Sequence, residues 1–187
     1  MSEDLQALAS DAAMHAGAFL AGVEQVSTGA SPQTAVAELL VHVAQALGVG
    51  AMLGAIDDVI PPERFEADAG RDPDADPLRD RLAALLEGLD EYAYVVDPLL
   101  PDKPVIGRVS DDVADIAIDL AHGLRHYQAD RPLEALWWWQ FSYLSNWGDH
   151  ALCAHRSLLS VLAHQRLDAD ALETQAAEAD ALLSPES

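Results

Sequence analysis

Basic residues are scarce in this chain. Its 187 residues hold 10 Lys plus Arg against 32 Asp plus Glu, a formal net charge of −22 at neutral pH. Phosphate backbones are bound by clustered Lys and Arg that displace counterions, so this balance argues against direct nucleic-acid binding. It argues equally against docking on an anionic membrane surface. An excess of carboxylates suits solubility or a halophilic setting, and it steers a basic partner toward the protein. Cysteine is nearly absent. Cys153 stands alone, so no intrachain disulfide can form, and a cytoplasmic location is expected. The first residues, Met1-Ser2-Glu3-Asp4, are acidic and lack the basic start of a signal peptide. The chain shows no H-E-x-x-H, no G-x-S-x-G, no Walker-type phosphate loop and no G-x-G-x-x-G after a strand. No internal repeat of fixed period is present.

What is there reads as helix almost throughout. The spacing predicts a first helix over about 3–26, stopped by Ser27-Thr28-Gly29-Ala30. Ser31-Pro32 is an N-cap followed by proline at the first helical position, opening a second helix to about Ala55. Its most apolar window, 36–56, carries Glu38, His42 and Gln45 and closes on Gly48, Gly50 and Gly54, which reads as a core helix rather than a membrane span. A polar, acidic loop follows over 57–76, long enough to be functional or mobile. Asp76-Pro77 opens a third helix to about Leu89. Residues 91–109 read as an extended connection with at most one short strand: Tyr92-Ala93-Tyr94-Val95-Val96 favours β, but Pro98, Pro101 and Pro104 follow. Ser110-Asp111-Asp112 caps a fourth helix to Gln128, and Asp130-Arg131-Pro132 opens a fifth that runs to Gln165 or breaks near 146–149. A terminal helix over 168–183 precedes a frayed tail, with 172–187 weakly anchored. The expected fold is a single all-α domain over 1–187, a bundle of about five or six helices with the fourth and fifth paired as an antiparallel hairpin.

Two stretches carry candidate chemistry. At about 100° per residue, Val113, Ile116, Ala117, Leu120, Leu124 and Tyr127 share one face of the fourth helix, while Asp111, Asp115, Asp119, His122 and His126 share the opposite one. Asp and His three or four apart can share a divalent metal, and Asp111-Asp112-Val113-Ala114-Asp115 spells D-D-x-x-D, the magnesium–diphosphate pattern of helical terpenoid synthases. The bland alternative is a solvated face, which every amphipathic helix must have. Asp72-Pro73-Asp74-Ala75-Asp76 begins like an EF-hand loop but places Pro77 where glycine belongs and Ala83 where glutamate belongs, so it is no calcium site. Cys153 has His150 and His155 near it in sequence but at spacings unsuited to a nucleophile–base pair, and reads as a small buried residue.

All four tryptophans fall within eleven positions of one another: Trp137, Trp138, Trp139 and Trp147. On a continuous fifth helix, Leu133, Leu136, Trp137, Leu144, Trp147, Ala151, Leu158 and Leu162 make an apolar stripe, with Gln140 and His155 as buried polar groups that need partners. Trp138 projects to the polar side near Ser142, Ser145 and Asp149, and an outward tryptophan suggests an interface. Trp139, Tyr143, Asn146 and His150 form a third edge that either packs or lines a pocket with Asp149.

Certain residues also form a familiar series: Tyr94-x-x-Asp97-Pro98, Pro104-Val105, Ser110-Asp111-Asp112-Val113-Ala114-Asp115-Ile116, Leu120, Gly123-Leu124, Tyr127, Ala135-Leu136-Trp137-x-Trp139-x-Phe141-Ser142-Tyr143 and Trp147-Gly148-x-His150-Ala151. The series resembles an uncharacterised bacterial domain-of-unknown-function family, densely over 92–160 and weakly before 90. The family pattern has an acidic residue between its first two tryptophans and an arginine after the second; here these are Trp138 and Gln140, so an ion pair there is lost. The resemblance implies an all-helical domain, supplies no activity, and suggests that the Asp111/Asp112/Asp115 segment meets the Trp147-Gly148-Asp149-His150 segment in space. The expected function is a non-enzymatic binding or interaction module. An immunity or inhibitor protein for a basic toxin and a divalent-metal-dependent helical enzyme are the alternatives. Asp111, Asp112, Asp115, His122, Asp149 and His150 are the candidate pocket or metal residues, and Trp138, Trp139 and Tyr143 the candidate interface. No cofactor is expected beyond a divalent metal under the enzyme reading. The expected partner is a protein, basic or a second copy of the chain, with nucleic acid and membrane excluded.

Overall fold

Helical spacing of apolar residues dominates the sequence, and helices dominate the fold. The computed structural model describes residues 3–62, 70–71, 73–95 and 104–168. The sequence-predicted terminal helix beyond 168, its tail, and most of the acidic loop lie outside the described residues. The described elements are α1 (Glu3–Gly29), α2 (Pro32–Ala55), α3 (Asp76–Leu85), β1 (Glu91–Tyr94), β2 (Val105–Arg108), α4 (Val109–Gln128), α5 (Pro132–Ser142), a π-helical turn (Tyr143–Trp147), α6 (Gly148–Ala163) and a second π-turn (His164–Asp168). The fold is an all-α single domain. Its departure from pure helix is a two-stranded antiparallel ribbon, pairing Glu91 with Arg108 and Tyr94 with Val105, where one short strand was expected. The third helix ends at Leu85 rather than Leu89, and Gly88 at φ +81° turns the chain out of it, a conformation glycine adopts without steric cost.

α4 is the centre of the bundle. It packs against α1, α3, α5 and α6 together. This corrects part of the expectation of a solvated polar face: Asp119 and His126 are buried, as is Asp112 beside that face, while Asp111, Asp115 and His122 stay half-exposed. A helix packed by so many neighbours still accepts buried polar residues if each finds a partner. Its start is also capped differently. Ser110 is not the cap. The buried Asp90, just before β1, accepts the Ser110 backbone N–H at 2.8 Å and the Ser110 hydroxyl at 2.7 Å, so a residue twenty positions upstream satisfies a free donor of the first turn.

α2 packs chiefly on α6 and α1, burying Leu39, Val43, Ala46 and Leu53. By length and composition it could cross a membrane; here its inner face is core, while Val41 and Met52 are exposed on its outer face.

The fifth helix is not continuous. On an uninterrupted helix, the residues buried before the π-turn (Ala135, Leu136, Trp139) and after it (Trp147, Ala151, Ala154, Leu158) would face directions about 85° apart. The π-turn takes up one extra residue and brings both sets onto one core-facing side. Ser142 and Ser145 hydroxyls donate to the carbonyls of Trp138 and Phe141, each at 2.7 Å, on either side of the interruption. The realignment overturns part of the predicted stripe. Leu144 is 65 % exposed, Trp137 and His155 are half-buried, and Trp139, placed on an edge by the sequence, is core.

Candidate functional site

The segments that the resemblance grouped do meet. At the start of α4, the Asp112 Oδ1 lies 2.8 Å from the His150 Nδ1 of α6. The other Asp112 oxygen accepts the Tyr92 hydroxyl from β1. One buried carboxylate thus joins three elements. His150 Nε2 faces Asp115 Oδ2 at 3.7 Å, one turn along α4. Burial raises the Asp112 pKa above the ordinary carboxylate value, against the lowering pull of His150 and Tyr92. The hydrogen bond to Asp112 raises the His150 pKa, outweighing the half-burial of its ring. Burial, aided by Asp112, pushes the Tyr92 phenol far up, so it stays a donor.

The remaining carboxylates are held by an arginine. Arg79 of α3 places Nε 3.1 Å from Asp111 and Nη2 3.3 Å from Asp115, and also pairs with Asp76 in its own first turn. A guanidinium is permanently charged and planar, and fills the position between two carboxylates that a cation would take. Among the described residues no group of three His, Cys, Asp or Glu side chains is arranged to hold a metal ion. The D-D-x-x-D pattern therefore serves here as one side of an Arg79–Asp–His150 network.

Further along α4 the seam changes character. Asp119 is buried, which raises its pKa, and accepts the Asn146 side-chain amide at 2.8 Å from the π-turn. Trp138 and Trp139 donate their indole N–H groups to the successive carbonyls of Asp119 and Leu120, at 3.0 and 3.1 Å. His122 belongs here and not with Asp112: its ring stacks on Trp138, centroids 4.0 Å apart. Trp138 meets Trp137 edge-on, and Trp137 stacks on Phe141 at 5.7 Å and 11°. Trp137, Trp138 and His122 are half-buried, and Phe141 is 51 % exposed. Four rings thus form one ridge on the outer side of α4 and α5.

The other predicted residues divide cleanly. Asp111, Asp112, Asp115 and His150 come together; Asp149 is exposed on α6 and adds only its charge. Trp139 is sealed in the core at 1 % exposure, so it cannot serve as an interface. Tyr143 is half-buried against Trp147, with Gly50 and Gly54 of α2 beside it. Cys153 is half-buried rather than buried, and burial raises its thiol pKa. Sequence reasoning missed Arg79 and Tyr92. Both lie far from α4 in sequence and carry no local signal beyond being an arginine among carboxylates and a tyrosine in a β-favouring run.

The pattern of DUF5063, a domain of unknown function, matches residues 3–164. The chain belongs to the DUF5063 family. The match reaches back well before the segment in which the sequence resemblance was dense. Among solved structures, protein BF1032 from Bacteroides fragilis, a structural genomics target, is similar at a TM-score of 0.60 and 21 % identity, over 80 % of this chain and 89 % of that one. At that identity the likeness carries the fold alone. No curated protein matches. DUF5063 membership brings no activity with it.

Proposed function

We propose that this DUF5063 protein is a binding module for a basic segment of a partner protein, with the ridge of His122, Trp137, Trp138 and Phe141 as its contact surface. The carrying observation is the ridge: four rings in mutual contact, one half exposed, beside an acidic seam. Rigid aromatic side chains lose little entropy on contact and dominate interface energetics. Their faces attract Lys and Arg. Asp115, Asp119 and His122 follow one line along α4 from seam to ridge. The net charge of −22 steers a cationic partner and repels an anionic one. A specific form of this reading is an immunity or inhibitor protein for a basic toxin, acting in the cytoplasm. The metal-dependent enzyme reading draws no support, because Arg79 already engages Asp111 and Asp115.

The test is a fluorescence titration with an arginine-rich nonapeptide and a glutamate-rich one as control. Saturable quenching by the basic peptide is expected, weakening with salt. A Trp137→Ala/Phe141→Ser double variant should bind at least about tenfold more weakly. Equal affinity of the double variant would show that charge alone attracts the peptide and would overturn the ridge as a binding surface.

A further inference from the structure

We propose a second site, independent of the ridge, that takes an apolar organic cation such as an alkylammonium. A cavity of about 410 Å³ opens where α1 begins, α2 has just ended and α5 starts. That volume lies in the range of small-molecule sites, roughly 300–1,000 Å³. Its apolar lining comes from Leu5, Ile56, Val59, Ile60 and Leu133. Its charged lining is Asp57 and Asp58.

The wall is held in place by a buried side chain from another element. Gln140 of α5, 5 % exposed, accepts the Val59 backbone N–H at 2.8 Å through Oε1. Its Nε2 donates to the carbonyls of Leu53 at 2.9 Å and of Ile56 and Asp57 at 3.3 Å. One amide therefore fixes the last turn of α2 and the four residues beyond it, and seats Val59 in the core at 6 % exposure. A lining fixed this way needs little ordering when a ligand enters.

Charge selects the ligand. Asp57 and Asp58 stand just past the C-terminus of α2, the negative end of its dipole. α5 begins at the same cavity with its positive end, but Glu134 in its first turn answers that dipole. Among the described residues the lining carries two carboxylates and no basic residue, which favours a cation and repels a carboxylate ligand. Ile60 at the mouth is 81 % exposed, and an alkyl chain entering the cavity would cover it. The chemistry that fits is an ammonium group beside Asp57 and Asp58 with a hydrocarbon body over Leu5, Val59 and Leu133.

The probe is n-hexylammonium, followed by methyl NMR shifts of Leu5, Val59 and Leu133, with hexanoate as the matched anion. Saturable shifts are expected for hexylammonium, with hexanoate at least about tenfold weaker. Asp57→Asn/Asp58→Asn should lower hexylammonium affinity about tenfold while arginine-peptide binding to the ridge persists. Trp137→Ala/Phe141→Ser should leave hexylammonium binding unchanged, which separates failure of this site from failure of the ridge. Equal shifts with hexanoate, shifts scattered away from the cavity, or undiminished binding by the Asn variant would overturn the proposal. The wild-type comparison of the two probes decides the matter even if the variant misfolds.

Discussion

Trp139 and Trp147 are cut off from solvent, whereas Trp137 and Trp138 are half open, though three of the four are consecutive. The buried pair is set against glycine. A Cβ at Gly123 would run into the Trp139 indole, and one at Gly50 would strike Trp147 and Tyr143. The open pair is set against other rings. One residue type thus does two jobs, assigned by helical phase and by the π-turn that follows. The inner tryptophans hold α4, α2 and α6 at close approach; the outer ones pack partly against the core and leave a half-open ring surface.

The sharpest way to break that comparison is to truncate one member of each pair. Trp147→Ala should cost about 3–5 kcal/mol in a denaturant melt, since a fully buried indole leaves a cavity its neighbours only partly fill. Trp138→Ala should cost distinctly less, because its site is already half open. Equal losses would mean that the ridge is core.

Adding a methyl group tests the glycine side. Gly148→Ala would push a Cβ into the Tyr143 backbone carbonyl, which cannot rotate away, and Gly123→Ala would displace Trp139. Each should destabilise by about 1–3 kcal/mol despite alanine's better helix propensity. Near-ultraviolet circular dichroism should show the altered tryptophan packing in Gly123→Ala. Gln140→Leu follows in size. It strips the Val59 N–H of its acceptor and should cost about 1–3 kcal/mol, with faster amide exchange at Val59.

These buried contacts also mark what the sequence could convey. Helix positions follow from local spacing, and α2 begins and ends where Ser31-Pro32 and the apolar window place it. The Gln140 requirement for a partner followed from its neighbours' apolarity. The meeting of Asp112 with His150 came only through the family resemblance. A single stripe misplaces the core face of the fifth helix, because its two buried runs differ by about 85° in phase. That offset was visible in the residues, but the π-turn absorbing it was not. Arg79 and Tyr92 were hidden because ion pairs and hydrogen bonds across 36 and 20 positions leave no periodic trace. Likewise α4 looked amphipathic from its own pattern. The burial of Asp112, Asp119 and His126 depends on α1, α3, α5 and α6 all converging on it.

The Asp112–His150 pair makes the seam sensitive to pH. The folded His150 pKa lies above its ordinary 6.5. Its stabilisation is therefore fully present below about pH 6.5 and is lost as pH rises through the folded value. Asp112 acts in the same sense: with its folded pKa raised above 3.8, its contribution is full in acid and declines as it ionises. Melting temperature should fall from mildly acidic to mildly alkaline pH, and His150→Ala should flatten the slope near neutrality. A slope of opposite sign would mean that the imidazole is held neutral in the fold.

The smallest effect on stability should come from the ridge itself, and there the two tryptophan pairs differ most. Phe141 is 51 % exposed, so Phe141→Ser removes little area from the core and should change stability by no more than about 0.5–1 kcal/mol. Trp137 loses its stacking partner in that variant but keeps its contact with Trp138. Thermal melts should barely move while arginine-peptide affinity falls. A loss above about 2 kcal/mol would instead place Phe141 among the packing residues. The exposed rings would then be ballast for α5, and the division of the tryptophans into structural and contact-making pairs would fail. A near-neutral melt with weakened binding is the outcome expected of a contact surface, because truncating a packing residue costs stability as well.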